Sequence, residues 1–441
     1  MYDQYFSNMN SRQYFVCALA ALFLLPLSWN ARAQFSPERR AYVESIAVPD
    51  HPDRVYSVGQ VATLRLEAYE AGVPLDGVWV RYRSGDELME PDTIDSVQFR
   101  GGVALLPIGT RMEPGFKTIS YEFAVAGKQY KDYVNVGFSP EKIRTFTPDP
   151  EDFDEFWAKT ISEAQAVPLD PVVTPLPQYS TETVEVSKVK LTVGPGGRNI
   201  YAYLSRPKDG KKHPVLFGPP GAGTRKRGPV TFYSERGYIY LNINIHHDAD
   251  SELPDDEYNA IVAPYARYTH DGIEDRDSFY YREVYAACVR CIDYLCSLPD
   301  WDGRNVGVTE GSQGGALTLV TAALSPKVTF CAPFYPALCD LLGARHGRAP
   351  GWPKYFLGKE ENEGAEQTLP YYDVVNFARR VKCPVFFAFG FNDPTCCPTS
   401  TYAAYNEITA PKVLAATRTN GHWRFSATNE ESLEWMQSQL K

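Results

Sequence analysis

The sequence predicts a mixed chain, a doubly wound α/β domain preceded by a small antiparallel β-sandwich of the immunoglobulin-like kind. Three observations predict it. Apolar and polar residues alternate with period two between residues 34 and 138, and no helical run interrupts them. From residue 151 to residue 441, short continuous apolar runs alternate with helical stretches. Between the two lies a proline-containing linker, 139–150. At 441 residues the chain also exceeds one ordinary domain, which holds roughly 100–200 residues.

Residues 1–33 read as a signal peptide. Phe15 to Leu25 is unbroken apolar sequence, preceded by Arg12 and followed by Ala31-Arg32-Ala33, a small-x-small cleavage site. The run is shorter than the roughly 20 residues a bilayer-spanning helix needs. The mature chain is therefore expected to be exported, periplasmic or secreted, with no membrane span.

In the sandwich segment Leu64, Leu66 and Ala68 alternate with Thr63, Arg65 and Glu67. Ile119, Tyr121, Phe123 and Val125 alternate with Thr118, Ser120, Glu122 and Ala124. Turn signals such as Asp76-Gly77, Gly101-Gly102 and Ala126-Gly127 separate the runs. No catalytic constellation falls in this segment, so it is expected to contribute nothing to the chemistry. After the linker, Pro148 and Pro150 open a helix whose Phe153, Phe156, Trp157, Ile161 and Ala164 share one face. A β-rich stretch follows at 183–193 and 200–204. Continuous apolar runs at 215–217, 238–245, 306–308, 328–330, 385–389 and 413–415 then read as buried parallel strands.

Composition narrows the function. Lys and Arg number 44 against 54 Asp and Glu, a net charge of −10, which disfavours an electrostatic grip on nucleic acid. Cys288, Cys291 and Cys296 share one predicted helix, and Cys331 and Cys383 lie in or beside predicted strands. They read as small apolar core residues rather than a disulfide framework, and no zinc spacing of paired CxxC is present. His246-His247-Asp248-Ala249-Asp250 lies beyond a strand, where polar residues near a cleft are expected without a metal. Neither metal nor cofactor is expected. Arg225-Lys226-Arg227 reads as a solvated loop.

The chemistry sits on loops that follow strands. Gly311-Ser312-Gln313-Gly314-Gly315, between the run 306–308 and the helical Ala316-Leu317-Thr318-Leu319-Val320, is read as a nucleophile elbow of the G-x-S-x-G kind. A nucleophilic serine needs a base, and the base needs an orienting carboxylate. In the order serine, acid, histidine, only His346 and His422 follow Ser312, and His346 precedes any plausible acid strand. His422 is taken as the base. Asp393, after the run 385–389, is taken as the acid, with Asp373 as its rival. Trp352, Tyr355 and Phe356 form an insertion that could supply sugar platforms or simply core.

These residues, taken together, resemble the acetyl xylan esterase/cephalosporin-C deacetylase family of α/β hydrolases. The resemblance covers about residues 148–441 and rests on several stretches. They are Pro150-Glu151-Asp152-Phe153-Asp154-Glu155-Phe156-Trp157, Gly311 to Gly315, Asp393 with Cys396, Pro398 and Ala403-Ala404-Tyr405-Asn406, and Gly421-His422. It implies an α/β-hydrolase fold and a serine esterase that takes acetyl groups from xylan-type oligo- or polysaccharide. By the same resemblance Ser312 is nucleophile, Asp393 acid, His422 base and the Gln313 N–H an oxyanion donor. It further implies no cofactor and a possible homo-oligomer.

The chain departs from the family pattern in places. Where the family has His-Gly-Tyr-x-Gly, this chain has Gly218-Pro219-Pro220-Gly221-Ala222-Gly223. Pro220 has no N–H to replace the tyrosine donor, so Gly221 or Ala222 is expected to supply it. Trp423 stands where the family usually has glutamate, and is a further candidate against substrate. The alternatives are an esterase for another carbohydrate ester and a catalytically weak sugar-binding homologue. An exopeptidase would usually carry a propeller, which residues 35–139 are too few to hold.

Overall fold

The structure, a computed structural model, describes residues 41–358 and 362–441. The expected signal peptide, 1–33, lies outside the described residues. The first nine strands are β1 Val43–Pro49, β2 Val55–Tyr56, β3 Ala62–Glu70, β4 Val73–Pro74, β5 Trp79–Asp86, β6 Pro91–Gln98, β7 Val103–Gly109, β8 Gly115–Val125 and β9 Lys128–Phe138. β1, β3, β4 and β7 form one sheet, and β2, β9, β8, β5 and β6 a second. The period-two pattern explains why they pack face to face. Leu64, Leu66 and Ala68 of β3 and Ile119, Tyr121, Phe123 and Val125 of β8 are all buried in one core. Successive side chains on a strand point to opposite faces, so each run offers one apolar side.

The second architecture follows. In chain order it comprises α1 Phe153–Gln165, β10 Val172–Pro175, β11 Val184–Gly194, β12 Arg198–Pro207, β13 His213–Gly218, β14 Ile239–Ile243, α2 Asp255–Val262, α3 Tyr281–Leu295, β15 Trp301–Gly311 and α4 Gln313–Leu324. Then come β16 Phe330–Phe334, α5 Glu363–Thr368, α6 Val374–Ala378, β17 Val385–Gly390, α7 Pro398–Glu407, β18 Lys412–Thr417 and α8 Ser426–Ser438. The strands make one nine-stranded sheet in the order β10-β11-β12-β14-β13-β15-β16-β17-β18. Pairing is parallel from β14 to β18 and antiparallel from β10 to β14. This is the α/β-hydrolase arrangement. β16 and β17 are buried along their whole length, as continuous apolar runs require when both faces are covered. One expected strand moves: the run at 328–330 begins pairing only at Phe330. Thr329 is spent tying the turn, its N–H donating to Val306 O (2.8 Å) and its Oγ1 accepting from Val306 N–H (3.0 Å).

The eight cysteines of the described residues are free, and all but Cys296 are buried. No helix among the described residues is long and apolar enough to cross a membrane.

The two architectures share an apolar seam. Phe116 of β8 packs edge-on against Phe391 (ring centroids 5.0 Å apart) and face-on against Tyr402 (5.7 Å). Beside it Glu87 is buried, with Oε2 accepting from Thr399 N–H (3.1 Å) at the start of α7 and Oε1 accepting from Asn135 Nδ2 (3.2 Å). Burial pushes its carboxyl up from 4.5 to about 8, aided by the Asp393 charge and opposed by Thr399 and Arg111. An acid raised on folding keeps its proton where the unfolded chain has released it. Its contribution to stability is therefore complete below about 4.5 and is lost as pH rises to about 8. The melting temperature should fall across that window by an increment that Glu87→Gln lacks. Thermal melts of both proteins at the two ends of the window measure it, and parallel declines would refute the assignment.

Candidate active site

β15 ends at Gly311 and α4 begins at Gln313, so Ser312 alone makes the turn between them. Its backbone stands at φ 62°, ψ −128°. A non-glycine residue holds such a conformation only when its surroundings fix it. Here Ser312 N–H donates to Phe334 O (3.0 Å), and Ser312 O accepts from the N–H groups of Ala316 (3.0 Å) and Ala337 (3.1 Å). The glycines that follow are required by close approach. A Cβ on Gly314 would stand 2.5 Å from Pro219 O, and one on Gly315 2.4 Å from Phe334 O.

The elbow departs from G-x-S-x-G on its first side, because Glu310 occupies the first glycine position. That position lines the cleft, so a side chain fits. The Glu310 carboxylate accepts from Gly311 N–H (2.7 Å) and faces the Arg424 and Arg227 guanidinium groups. Burial raises its pKa and the two arginines oppose the rise.

The structure brings Ser312, His422 and Asp393 together. His422 Nε2 lies 3.0 Å from Ser312 Oγ, and its Nδ1 lies 2.8 Å from Asp393 Oδ2. Asp393 is fully buried in the loop after β17, and its Oδ1 accepts from the N–H groups of Thr395 (2.8 Å) and Cys396 (3.0 Å). A carboxylate held from three sides keeps Nδ1 protonated and leaves Nε2 free to accept the serine proton. The rival Asp373 sits elsewhere. It caps α6 through Val375 N–H (3.0 Å) and gathers Asp340 N–H (2.9 Å), Leu341 N–H (2.6 Å) and Thr147 Oγ1 (2.5 Å). Burial, reinforced by the Asp340 carboxylate, pushes it up to about 7.

A cleft of about 690 Å³ opens over Ser312 and His422, lined also by Pro220, Gly221, Ala222, Glu310, Tyr335 and Trp352. The 218–224 loop is braced from beneath by residues that sequence patterns do not reveal. The fully buried Gln313 side chain donates from Nε2 to Pro220 O (3.3 Å). Its Oε1 accepts from the hydroxyls of Tyr268 (2.6 Å) and Tyr281 (2.8 Å). Tyr268 also accepts from Gly223 N–H (3.2 Å), and Arg227 Nη2 donates to Gly221 O (2.5 Å). The N–H of Gly223 is thus spent, while Gly221 and Ala222 line the cleft.

The other candidates divide. Trp352 is half-buried and lines the cleft. Tyr355 does not act as a platform. It is buried in the core and its hydroxyl donates to Thr269 O (2.6 Å), because the insertion folds inward there, and Phe356 is buried with it. Trp423 is 48% exposed and packs edge-on against Phe425 rather than over Ser312. His246 and His247 diverge: His246 is buried against Tyr265 with Nδ1 at Tyr280 Oη (3.0 Å), while His247 Nε2 meets Glu283 (2.9 Å). Burial lowers His246 to about 4.

The chain is similar to known proteins. The acetyl xylan esterase (AXE1) family model matches residues 139–439. Acetyl esterase Axe7A of Xylanibacter ruminicola is 39% identical over 432 residues, spanning 95% of this chain and 96% of that relative. The acetyl xylan esterase from Paenibacillus sp. R4 superposes with a TM-score of 0.60 at 25% identity, over 68% of this chain and 98% of its own. Acetyl xylan esterase 1 from Thermoanaerobacterium sp. JW/SL YS485, 23% identical with a TM-score of 0.59 over 68% of this chain and 98% of its own, shares the fold.

The glycine requirement gives a direct test. Gly315→Ala should force the elbow apart, costing about 1–3 kcal/mol in denaturant unfolding and most of the esterase activity. An active Gly315→Ala protein of unchanged stability would show that the close approach to Phe334 is not needed.

Proposed function

The chain belongs to the acetyl xylan esterase family and is a carboxylic ester hydrolase, and from that premise we propose that Ser312, His422 and Asp393 form its catalytic triad. The observation that carries the reading is the unbroken hydrogen-bonded run from Ser312 Oγ through the imidazole to Asp393. His422 Nε2 takes the Ser312 proton as Oγ attacks the ester carbonyl. The imidazolium formed is stabilised by Asp393 and then protonates the departing sugar oxygen. Water, deprotonated by the same imidazole, attacks the acyl-enzyme, and acetate leaves with Ser312 restored.

The tetrahedral intermediates carry an oxyanion, for which we assign two N–H donors. One is Gln313, at the start of α4, where unpaired amides and the helix dipole favour an anion. The other is Gly221 or Ala222, whose loop is held in place by Gln313 and Arg227. Losing one such donor costs about 2.7–4 kcal/mol in the barrier. Because Pro220 cannot donate, the bracing of this loop takes over a task that a side-chain-bearing donor would perform elsewhere.

The substrate we propose is an acetylated oligo- or polysaccharide of the xylan type, met after export and removal of residues 1–33. The name of the similar Xylanibacter ruminicola protein supports the acetyl group, and the family supports the sugar. Trp352 lines the cleft together with polar residues such as Asn242, Glu310 and Thr395, as a hydroxyl-rich substrate needs.

Two expectations follow. Ser312→Ala and Asp393→Asn should each lower kcat by about 10⁴-fold in a soluble acetate-ester assay, whereas Asp373→Asn should act on unfolding instead. The opposite order for the two aspartates would reassign the acid. Acetate release from acetylated xylo-oligosaccharides should outpace hydrolysis of the same sugars carrying a bulkier acyl group. A preference for the bulkier ester would move the assignment to another carbohydrate ester while leaving the triad intact.

A further inference from the structure

The loop that carries Asp393 is not held by the α/β half alone. Asn392, its neighbour, lies among three segments. Its N–H donates to Asn420 O (3.1 Å), two residues before His422. Its own carbonyl accepts from Tyr133 Oη of β9 (2.6 Å), and its Oδ1 accepts from Asn135 N–H (2.9 Å) and Arg54 Nη1 (3.4 Å). One residue of the sandwich grips the same loop twice, by its backbone N–H and by its side chain: Asn135, buried between the halves, also donates from Nδ2 to Phe391 O (2.8 Å). The Asn135 amide is itself oriented, since its Oδ1 accepts from Thr118 Oγ1 (2.7 Å) and its Nδ2 also reaches Glu87 (3.2 Å). Glu87 in turn takes Thr399 N–H, just beyond the loop. The backbone just before Asp393 is therefore fastened to groups some 260 residues earlier in the chain.

We propose that the sandwich is part of the catalytic unit, with Asn135 and Tyr133 as positioning residues that hold the 391–393 backbone so that Asp393 meets His422. The inference rests on the triad reading above. It reverses the expectation that this half contributes nothing to the chemistry. Neither residue touches substrate; both act through the acid. The geometric demand is severe, because His422 must be aimed at Ser312 by a carboxylate whose own position is set by two backbone N–H groups of one short loop. The Asn420 contact couples the two loops, so a shift of Asn392 moves acid and base together.

The test is a double-mutant cycle on the full chain with a soluble acetate ester. Asn135→Ala should lower kcat by about 10- to 100-fold, the scale set by small misplacements of catalytic groups, with KM changed by less than about two-fold. Tyr133→Phe, which removes a single hydroxyl, should lower kcat in the same sense by a smaller factor and serves if Asn135→Ala does not fold. In an Asp393→Asn background each substitution should cost less than about two-fold further, since the group they position is gone. Wild-type kcat in both folded variants, or the same fold-loss in both backgrounds, overturns the inference. If Asp393→Asn itself keeps wild-type kcat, the triad reading falls instead. If Asp393→Asn is impaired and the sandwich variants are not, only the positioning role is lost.

Discussion

A serine held at φ 62° between a strand and a helix is the constraint around which the α/β half is arranged. The conformation costs roughly 1–3 kcal/mol and persists only where neighbouring structure over-determines it. Three backbone hydrogen bonds to Ser312 do so, and each comes from a different place: the end of β16, the first turn of α4 and the chain just past β16. Side chains are excluded from the positions that must approach, at Gly314 and Gly315. The reward is a hydroxyl lifted clear of the sheet, at the end of the parallel strands, with the free amides of α4 beneath it. Everything else in the site is placed with respect to that one atom.

The acid and the base reach the serine by a different route. Both sit on loops, and loops lack the internal hydrogen bonds that fix a strand or helix. Their geometry is borrowed. Asp393 folds its loop around itself by accepting two of the loop's own N–H groups, and Asn392 ties that loop to the one bearing His422. Close packing then locks the junction. A Cβ on Gly390 would stand 2.2 Å from Asn420 O, so β17 ends where the histidine loop crosses it. Gln313 performs a similar service on the opposite wall, where one buried amide, fixed by two tyrosine hydroxyls, supports the loop of Gly221 and Ala222.

Much of this was legible in the sequence, for identifiable reasons. The sandwich strands announce themselves because one face is buried, which writes period two into β3 and β8. The parallel strands do so because both faces are buried, and Ser312 because glycines crowd around it at fixed offsets. His422 and Asp393 follow from chain order. What stayed hidden depends on contacts between residues far apart. Nothing local marks Tyr268, Tyr281 or Arg227 as braces, and nothing in an alternating strand distinguishes Asn135 from any other polar residue on β9. Tyr355 was open to two readings because a buried tyrosine with one satisfied hydroxyl and a sugar platform use the same residue type. Glu310 breaks a motif without breaking the turn, since the pattern's first glycine is needed only where no cleft receives a side chain.

The seam at Phe116 has a consequence for how the chain is made. Domains fold as units, N-terminal first, while synthesis proceeds at about 5–20 residues per second. The sandwich has its own apolar core and emerges early. The partners of Phe116, which are Phe391 and Tyr402, are polymerised more than 250 residues later, on the order of 10–50 s at those speeds. For that interval a nascent chain presents an aromatic face and the unpaired groups of Asn135 and Tyr133 to the solvent. The sandwich is thus a template made early, and the segment bearing Phe391 and Tyr402 completes the seam of two cores when it arrives.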